Sequence, residues 1–163
     1  MAGKQADSMD ALDIASFLED HGTGVLALAK DNDAYAIPVS YTFEADEEAI
    51  YFRMGFAPGS QKRKYLEETN HLSFVVYADT DDGWKSVLVE GTAETLGVDS
   101  LDAALVEAMQ GLDIPYYQVH ERPATDVQFR IVRVTPTRMS GIVEGQSNRK
   151  KQTAGGSVED GSK

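Results

Sequence analysis

The sequence contains no cysteine. That excludes a disulfide framework, a thiolate metal site and a thiol nucleophile. Its three histidines, His21, His71 and His120, lie too far apart for metal-ligand spacing. No apolar run approaches the roughly 20 residues that cross a bilayer as a helix. The opening MAGKQADSMDALD has no apolar signal core. The expectation is a soluble, cytoplasmic protein with no membrane partner and no metal. Cations are also scarce: 15 Lys and Arg against 27 Asp and Glu leave a net charge of −12. A chain of that charge repels nucleic acids and anionic lipid surfaces, although a small local anion site stays compatible with it. The acids are spread along the chain. Such a surface also suits a concentrated-salt, halophilic cytoplasm, where repulsion is screened within a few ångströms.

What is present fits one domain with a sizeable core, since the chain has 163 residues. Residues 1–8 read as a frayed N-terminus, 9–144 as the domain, and the Gly-, Ser- and Lys-rich residues 145–163 as a disordered tail. Ser8 is a candidate cap for a helix to about Asp20, with Leu12, Ile14, Ala15, Phe17 and Leu18 on its apolar side. Three strand-like runs follow, over 24–30, 34–43 and 49–54, separated by acidic turns. Pro38 in the second implies an edge or a bulge. A helix is predicted over 60–69, then strands over 72–77 and 84–96. Gly91 within the latter reads as a bulge or a close-approach point. A helix over 101–110, an irregular segment over 112–125, a strand over 126–135 and a short piece at 139–143 complete the chain. The class is mainly β: a β-barrel with peripheral helices, about six antiparallel strands and two to three helices. A sandwich is the competing architecture.

The informative stretch is IYFRMGFAPGSQKRKYL, residues 50–66. A strand breaks at Gly55, Pro58 and Gly59, and a helix begins with Ser60, Gln61, Lys62, Arg63 and Lys64. Helix starts favour acids, because free N–H groups and the aligned peptide dipoles carry partial positive charge there. Cations fit that position if a bound anion lies between them and the helix end. The residues alone leave two readings open, a phosphate site and a solvated basic helix face.

In order and spacing, AIPVSYTF, IYFRMG, GSQKRKYLEETNHLSFVV and WKSVLVEGTAE resemble the pyridoxamine 5′-phosphate oxidase-like FMN-binding split barrels, and within them the flavin-nucleotide-binding subgroup. The likeness covers about residues 10–143. It implies a homodimer with FMN at the subunit interface and a small-molecule substrate or electron donor. It implies ring contacts from Ile37, Pro38, Val39, Ser40 and Tyr41, partly through backbone groups, and further contacts from Phe52 and Arg53. The family's Gly-Ser-x-Lys phosphate segment falls on Ser60, Gln61 and Lys62. The strand carrying an Arg-Gln pair in the oxidases proper has Lys85 and Ser86 here, after Trp84. Arg53, Lys62 and Lys85 would converge on the phosphate if the strands bearing Arg53 and Lys85 are neighbours. Tyr41, Phe52, Phe56 and Trp84 are candidate walls of the flavin slot, with core packing as the alternative for each.

The chain departs from the family's pattern in several places. Phe56, Ala57 and Pro58 lengthen the loop before GSQK, Gln61 stands where a cation is common, and TPTRMSGIVEG, with Arg138 and Met139, lacks the family's C-terminal Trp and Arg. Vitamin B6 oxidation is therefore not implied, and no general acid or base is assigned. An FMN-dependent oxidoreductase is expected. The alternatives are a flavin-binding module without turnover, and a barrel that holds deazaflavin or heme. DTDDGW resembles a calcium loop only superficially, since strands flank it and Gly83 comes one position early. Tyr116, Tyr117, His120 and Arg122 are candidates to cover the slot.

Overall fold

Local chemistry accounts for most elements of the computed structural model, which describes residues 6–97, 99, 102–110 and 128–145. Helix α1 (Ala11–Asp20) is capped by Asp10, whose Oδ1 accepts the N–H of Asp13 at 2.8 Å. The cap is thus Asp10 and not Ser8, which lies in a short strand, β1 (Ala6–Ser8). The supposedly frayed start is held, over these residues, by pairing with the last strand. Ile14, Phe17 and Leu18, at i, i+3 and i+4, form the buried face of α1. At its end a ring N–H of His21 donates to the Phe17 carbonyl at 2.7 Å.

The remaining elements are β2 (Thr23–Lys30), β3 (Asp33–Glu44), β4 (Ala49–Phe56), α2 (Gln61–Glu68), β5 (Leu72–Thr80), β6 (Gly83–Leu96), α3 (Ala103–Gln110) and β7 (Gln128–Glu144). The strand order is β1-β7-β4-β3-β2-β5-β6, and β6 also pairs with β7. That last pairing closes an antiparallel barrel and removes the sandwich alternative. The predicted three-strand meander is β2-β3-β4. The predicted strand over 126–135 and the short piece after it form one strand, β7. The irregular segment over 112–125 lies outside the described residues, as does the tail from residue 146.

Alternate residues of each strand point inward. Phe74 is fully buried at the centre, with the rings of Tyr41 and Phe52 edge-on to it at 5.1 and 5.0 Å. The Tyr41 hydroxyl donates to the Leu18 carbonyl at 2.8 Å and so ties α1 to the barrel. Burial raises the Tyr41 pKa well above the ordinary phenol range.

One bulge sets the inside and outside of β7. Glu90 of β6 faces Arg138 and Gly91 faces Pro136, so Thr137 has no opposite residue; its Oγ1 donates to the Glu90 carbonyl at 3.2 Å. Before the bulge Val132 and Val134 face the core; after it Met139 and Val143 do. Gly91 is required here, because a Cβ would lie 2.3 Å from the Thr135 carbonyl oxygen. Both readings of this glycine, bulge and close approach, describe it.

Candidate functional site

The barrel is split between β3 and β4. They pair only from Tyr41↔Phe52 to Glu44↔Ala49. Residues 33–40 of β3 pair with β2 alone, and Arg53 to Phe56 of β4 pair with β7 alone. Beyond Tyr41 and Phe52 two half-edges therefore face an opening. Pro38 sits on this locally free edge, where its missing N–H costs no ladder hydrogen bond.

Helix α2 starts at the end of the split half of β4. Its N-cap, Ser60, makes no side-chain cap bond, so its first N–H groups have no side-chain acceptor. Lys62 turns back toward β4, and its Nζ donates to the Gly55 carbonyl at 3.2 Å. The Lys62 side chain is half-buried, and desolvation lowers its pKa from the ordinary lysine range. It forms no ion pair among the described residues. Arg53, two positions from Gly55, lies over the Phe129 ring at 4.4 Å and likewise has no carboxylate partner among the described residues. The other end of α2 is fixed by Thr69, whose Oγ1 donates to the Tyr65 carbonyl at 2.5 Å and accepts the Ala29 N–H of β2 at 3.2 Å. The cationic first turn therefore rests on an anchored helix.

The structure places Ile37 to Ser40 and Arg53 on the two half-edges of the split, and Ser60, Gln61 and Lys62 at the start of α2, from which Lys62 reaches the Gly55 carbonyl of β4. It does not bring Trp84, Lys85 and Ser86 there within one chain. Strand β7 lies between β4 and β6: Arg53 is opposite Ile131, whereas Lys85 is opposite Val143. Those partners are far apart along β7, so the condition for convergence fails within a single chain. Lys85 pairs instead with Asp82 at 3.3 Å. The aromatic walls need a second correction. Tyr41, Phe52 and Phe56 are core residues, 1, 0 and 6% exposed. They can offer a ligand their backbone and not their rings. Trp84 is exposed and packs on Tyr77 at 5.3 Å.

Two further features were not read from the sequence. One is an exposed apolar face on β5, β6 and β7 made by Tyr77, Trp84, Leu88 and Ile142. The other is Phe129 beneath Arg53. A signal existed for it: in VQFRIVRV it alternates with the core residue Val132, which puts an aromatic on the outward register. Among the described residues no group of three or more His, Asp or Glu is placed to hold a metal, and no helix is long and apolar enough to cross a membrane. Tyr116, Tyr117, His120 and Arg122 lie outside the described residues.

The same fold occurs in solved structures of low sequence identity. A Corynebacterium glutamicum protein described as a candidate pyridoxamine 5′-phosphate oxidase superposes with TM-score 0.63 at 17% identity, over 91% of this chain and 99% of its own. A FAD-binding protein from Mesorhizobium loti gives 0.62 at 21%, over 84% and 96%. A FAD- and heme-binding protein from Mycobacterium smegmatis gives 0.59 at 14%, over 85% and 73%. Among curated proteins none matches. The family model for pyridoxamine 5′-phosphate oxidase matches residues 10–143, the span that contains α1, the barrel and the split, and the chain belongs to that family.

Proposed function

We propose that this protein is a homodimeric flavoprotein that holds the FMN unit of its cofactor in the split and acts as an oxidoreductase on a small-molecule substrate or electron donor. One observation carries the reading: Lys62 is a half-buried ammonium with no carboxylate partner among the described residues, set in the split beside an uncapped helix start. A buried charge is tolerated when a partner completes it. A phosphate monoester supplies that partner and accepts the free N–H groups as well. The names of the Mesorhizobium loti and Mycobacterium smegmatis neighbours, both FAD-binding, support a flavin in particular.

The residues present fit such a group. Lys62, Arg53 and the N–H groups after Ser60 would hold the phosphate. The free edge of β3, from Ile37 to Tyr41, would line the ring through its backbone and the outward Pro38 and Ser40. When bound, the flavin supplies the two-electron chemistry. The protein orients the ring, neutralises the phosphate and excludes water from one face. Trp84, Lys85 and Ser86 enter through the second copy. Trp84 and Ser86 lie on or beside the exposed apolar face, a surface of the kind that marks a subunit contact, and Lys85 sits between them on the opposite side of β6. Docking that face against another copy would carry them to the partner's split.

The test is an absorption spectrum of the purified full-length protein, before and after flavin addition and desalting, in molar KCl and in low salt. Retained flavin with peaks shifted from the free compound is the expected result. A folded protein that retains none in either salt overturns the reading, and a Soret band would replace flavin with heme. Light scattering in the same buffers should give a dimer.

A further inference from the structure

Strand β7 carries exposed apolar side chains at both ends, and only those at its far end belong to the apolar face. There Ile142 joins Tyr77, Trp84 and Leu88. Phe129, at the start of β7, is 41% exposed and stands apart from them. Its neighbour is a charge. In the β4–β7 pairing Phe129 is opposite Gly55 and Ile131 is opposite Arg53, so the ring and Arg53 are diagonal neighbours on one side of the sheet. That side is the outward one: Phe52 and Met54 point into the main core, while Tyr51 and Ile131 belong to the small cluster outside it. The Arg53 guanidinium carbon lies over the Phe129 ring, 4.4 Å from its centroid. The ring has a fixed base, because Phe129 is held in register with β4 and its carbonyl accepts an N–H of Arg130 at 3.1 Å. Gly55, opposite Phe129, is also the residue whose carbonyl accepts Lys62 Nζ at 3.2 Å. The contacts of ring, guanidinium and ammonium all lead to the split half of β4.

What the ring does for Arg53 follows from the freedom of that side chain. Arginine is long and has many rotamers, and ordering it for a ligand costs entropy. An acid would hold it, but would also neutralise it and take up its N–H donors. An aromatic ring attracts the same cation, leaves the charge in place and leaves donors for a ligand. The structure supplies a ring and, among the described residues, no acid. We infer that Phe129 is a positioning residue, which seats Arg53 at the split with its charge and N–H donors still available to the anion bound there. Phe129 touches the guanidinium and not the ligand. The inference rests on the flavin reading above and adds to it the group that holds the second cation in place.

The test is a double-mutant cycle on the full-length protein, freed of bound flavin and titrated by fluorescence with FMN and with riboflavin. Phe129→Leu is expected to weaken FMN binding about two- to fivefold, the range of an exposed cation–π contact, and to leave riboflavin binding unchanged. Phe129→Tyr keeps a ring under the guanidinium and should keep the parent's FMN affinity. In an Arg53→Gln background, where the cation is already gone, Phe129→Leu should weaken FMN no further. A Phe129→Leu variant that binds FMN as the parent does overturns the positioning role and leaves the flavin reading standing. Equal weakening of FMN and riboflavin does the same, because the effect would not pass through the phosphate. A loss that persists undiminished beside Arg53→Gln also overturns it, since Phe129 would then act without Arg53. A parent protein that binds neither ligand overturns the flavin reading and this inference with it.

Discussion

The barrel has two seams of opposite character. At the β6–β7 seam, pairing runs from Trp84↔Glu144 to Leu96↔Ile131, interrupted only by the bulge at Thr137. At the β3–β4 seam it ends after Tyr41↔Phe52 to Glu44↔Ala49. Charge follows the same division. On the sealed seam Arg133 faces Glu94 at 3.6 Å and Arg138 faces Glu90 at 3.9 Å. At the split, Arg53 and Lys62 have no acid among the described residues. In a chain with net charge −12, cations without acids are harder to arrange than cations with them. The sealed seam thus reads as the part that holds the barrel together, and the split as the part left free for a ligand. If that division is right, stability and flavin affinity should respond to different residues.

The largest effect should come from the sealed seam. Gly91→Val would push a side chain into the Thr135 carbonyl, 2.3 Å from the Cβ position, where backbone rather than a flexible side chain must move. The expected cost is about 3 kcal/mol or more, a fall in melting temperature of several degrees for a domain this size. Flavin affinity of the remaining folded protein should be unchanged. A variant that melts normally would mean that the seam yields easily. One that stays folded but loses flavin would mean that the two seams are coupled, and the division would fail.

Next in size is the split itself. Lys62→Met removes the half-buried charge and keeps an unbranched apolar stem. The desolvation cost disappears together with the hydrogen bond to Gly55, so the melting temperature should stay close to that of the parent. FMN affinity should fall by about ten- to a hundredfold, equivalent to the roughly 1.5–3 kcal/mol of a hydrogen bond to a charged group, and riboflavin affinity should not. Lys62→Ala combined with Lys85→Ala should widen the gap if the partner's lysine also reaches the phosphate. The same lysine predicts a pH dependence. Because burial lowers its pKa in the free protein, the phosphate increment is full below that lowered value and declines as pH rises through it. The FMN-to-riboflavin ratio should therefore begin to fall before an exposed lysine would titrate. A ratio constant up to the ordinary lysine range would remove Lys62 from the phosphate.

How much of this was legible depended on whether a feature is local. The strands were legible because β-branched and aromatic residues alternate between acidic turns, as in Leu72 to Val76. The candidate anion site rests on an equally local signal, a run of cations that follows a serine at a helix start. For Tyr41 and Phe52 the sequence left slot and core both open, because both readings call for an aromatic on a strand; their burial against Phe74 decides for the core. Asp10 and Ser8 are both good caps two residues apart, and pairing of 6–8 with β7 takes Ser8 out of the competition. What no local pattern encodes is which strand closes the barrel. Strand β7 pairs with both β4 and β6, and it is this insertion that separates Lys85 from Arg53.

The smallest effect should be the most discriminating. Arg138→Ala removes one cation from the sealed seam, as Lys62→Met removes one from the split. Net charge changes equally in the two variants. The Arg138 side chain is 74% exposed and its pair with Glu90 is long, so solvent and salt screen it. Exposed pairs of this kind contribute about 0–1 kcal/mol. The expected result is a melting temperature within a degree or two of the parent and flavin affinity within about twofold. If Arg138→Ala weakened FMN binding as much as Lys62→Met does, the general field of an acidic protein would govern the anion, and position within the split would not. A difference of tenfold or more between two variants of identical charge would locate the phosphate by geometry, because long-range electrostatics acts on both alike and only Lys62 stands at the open edge.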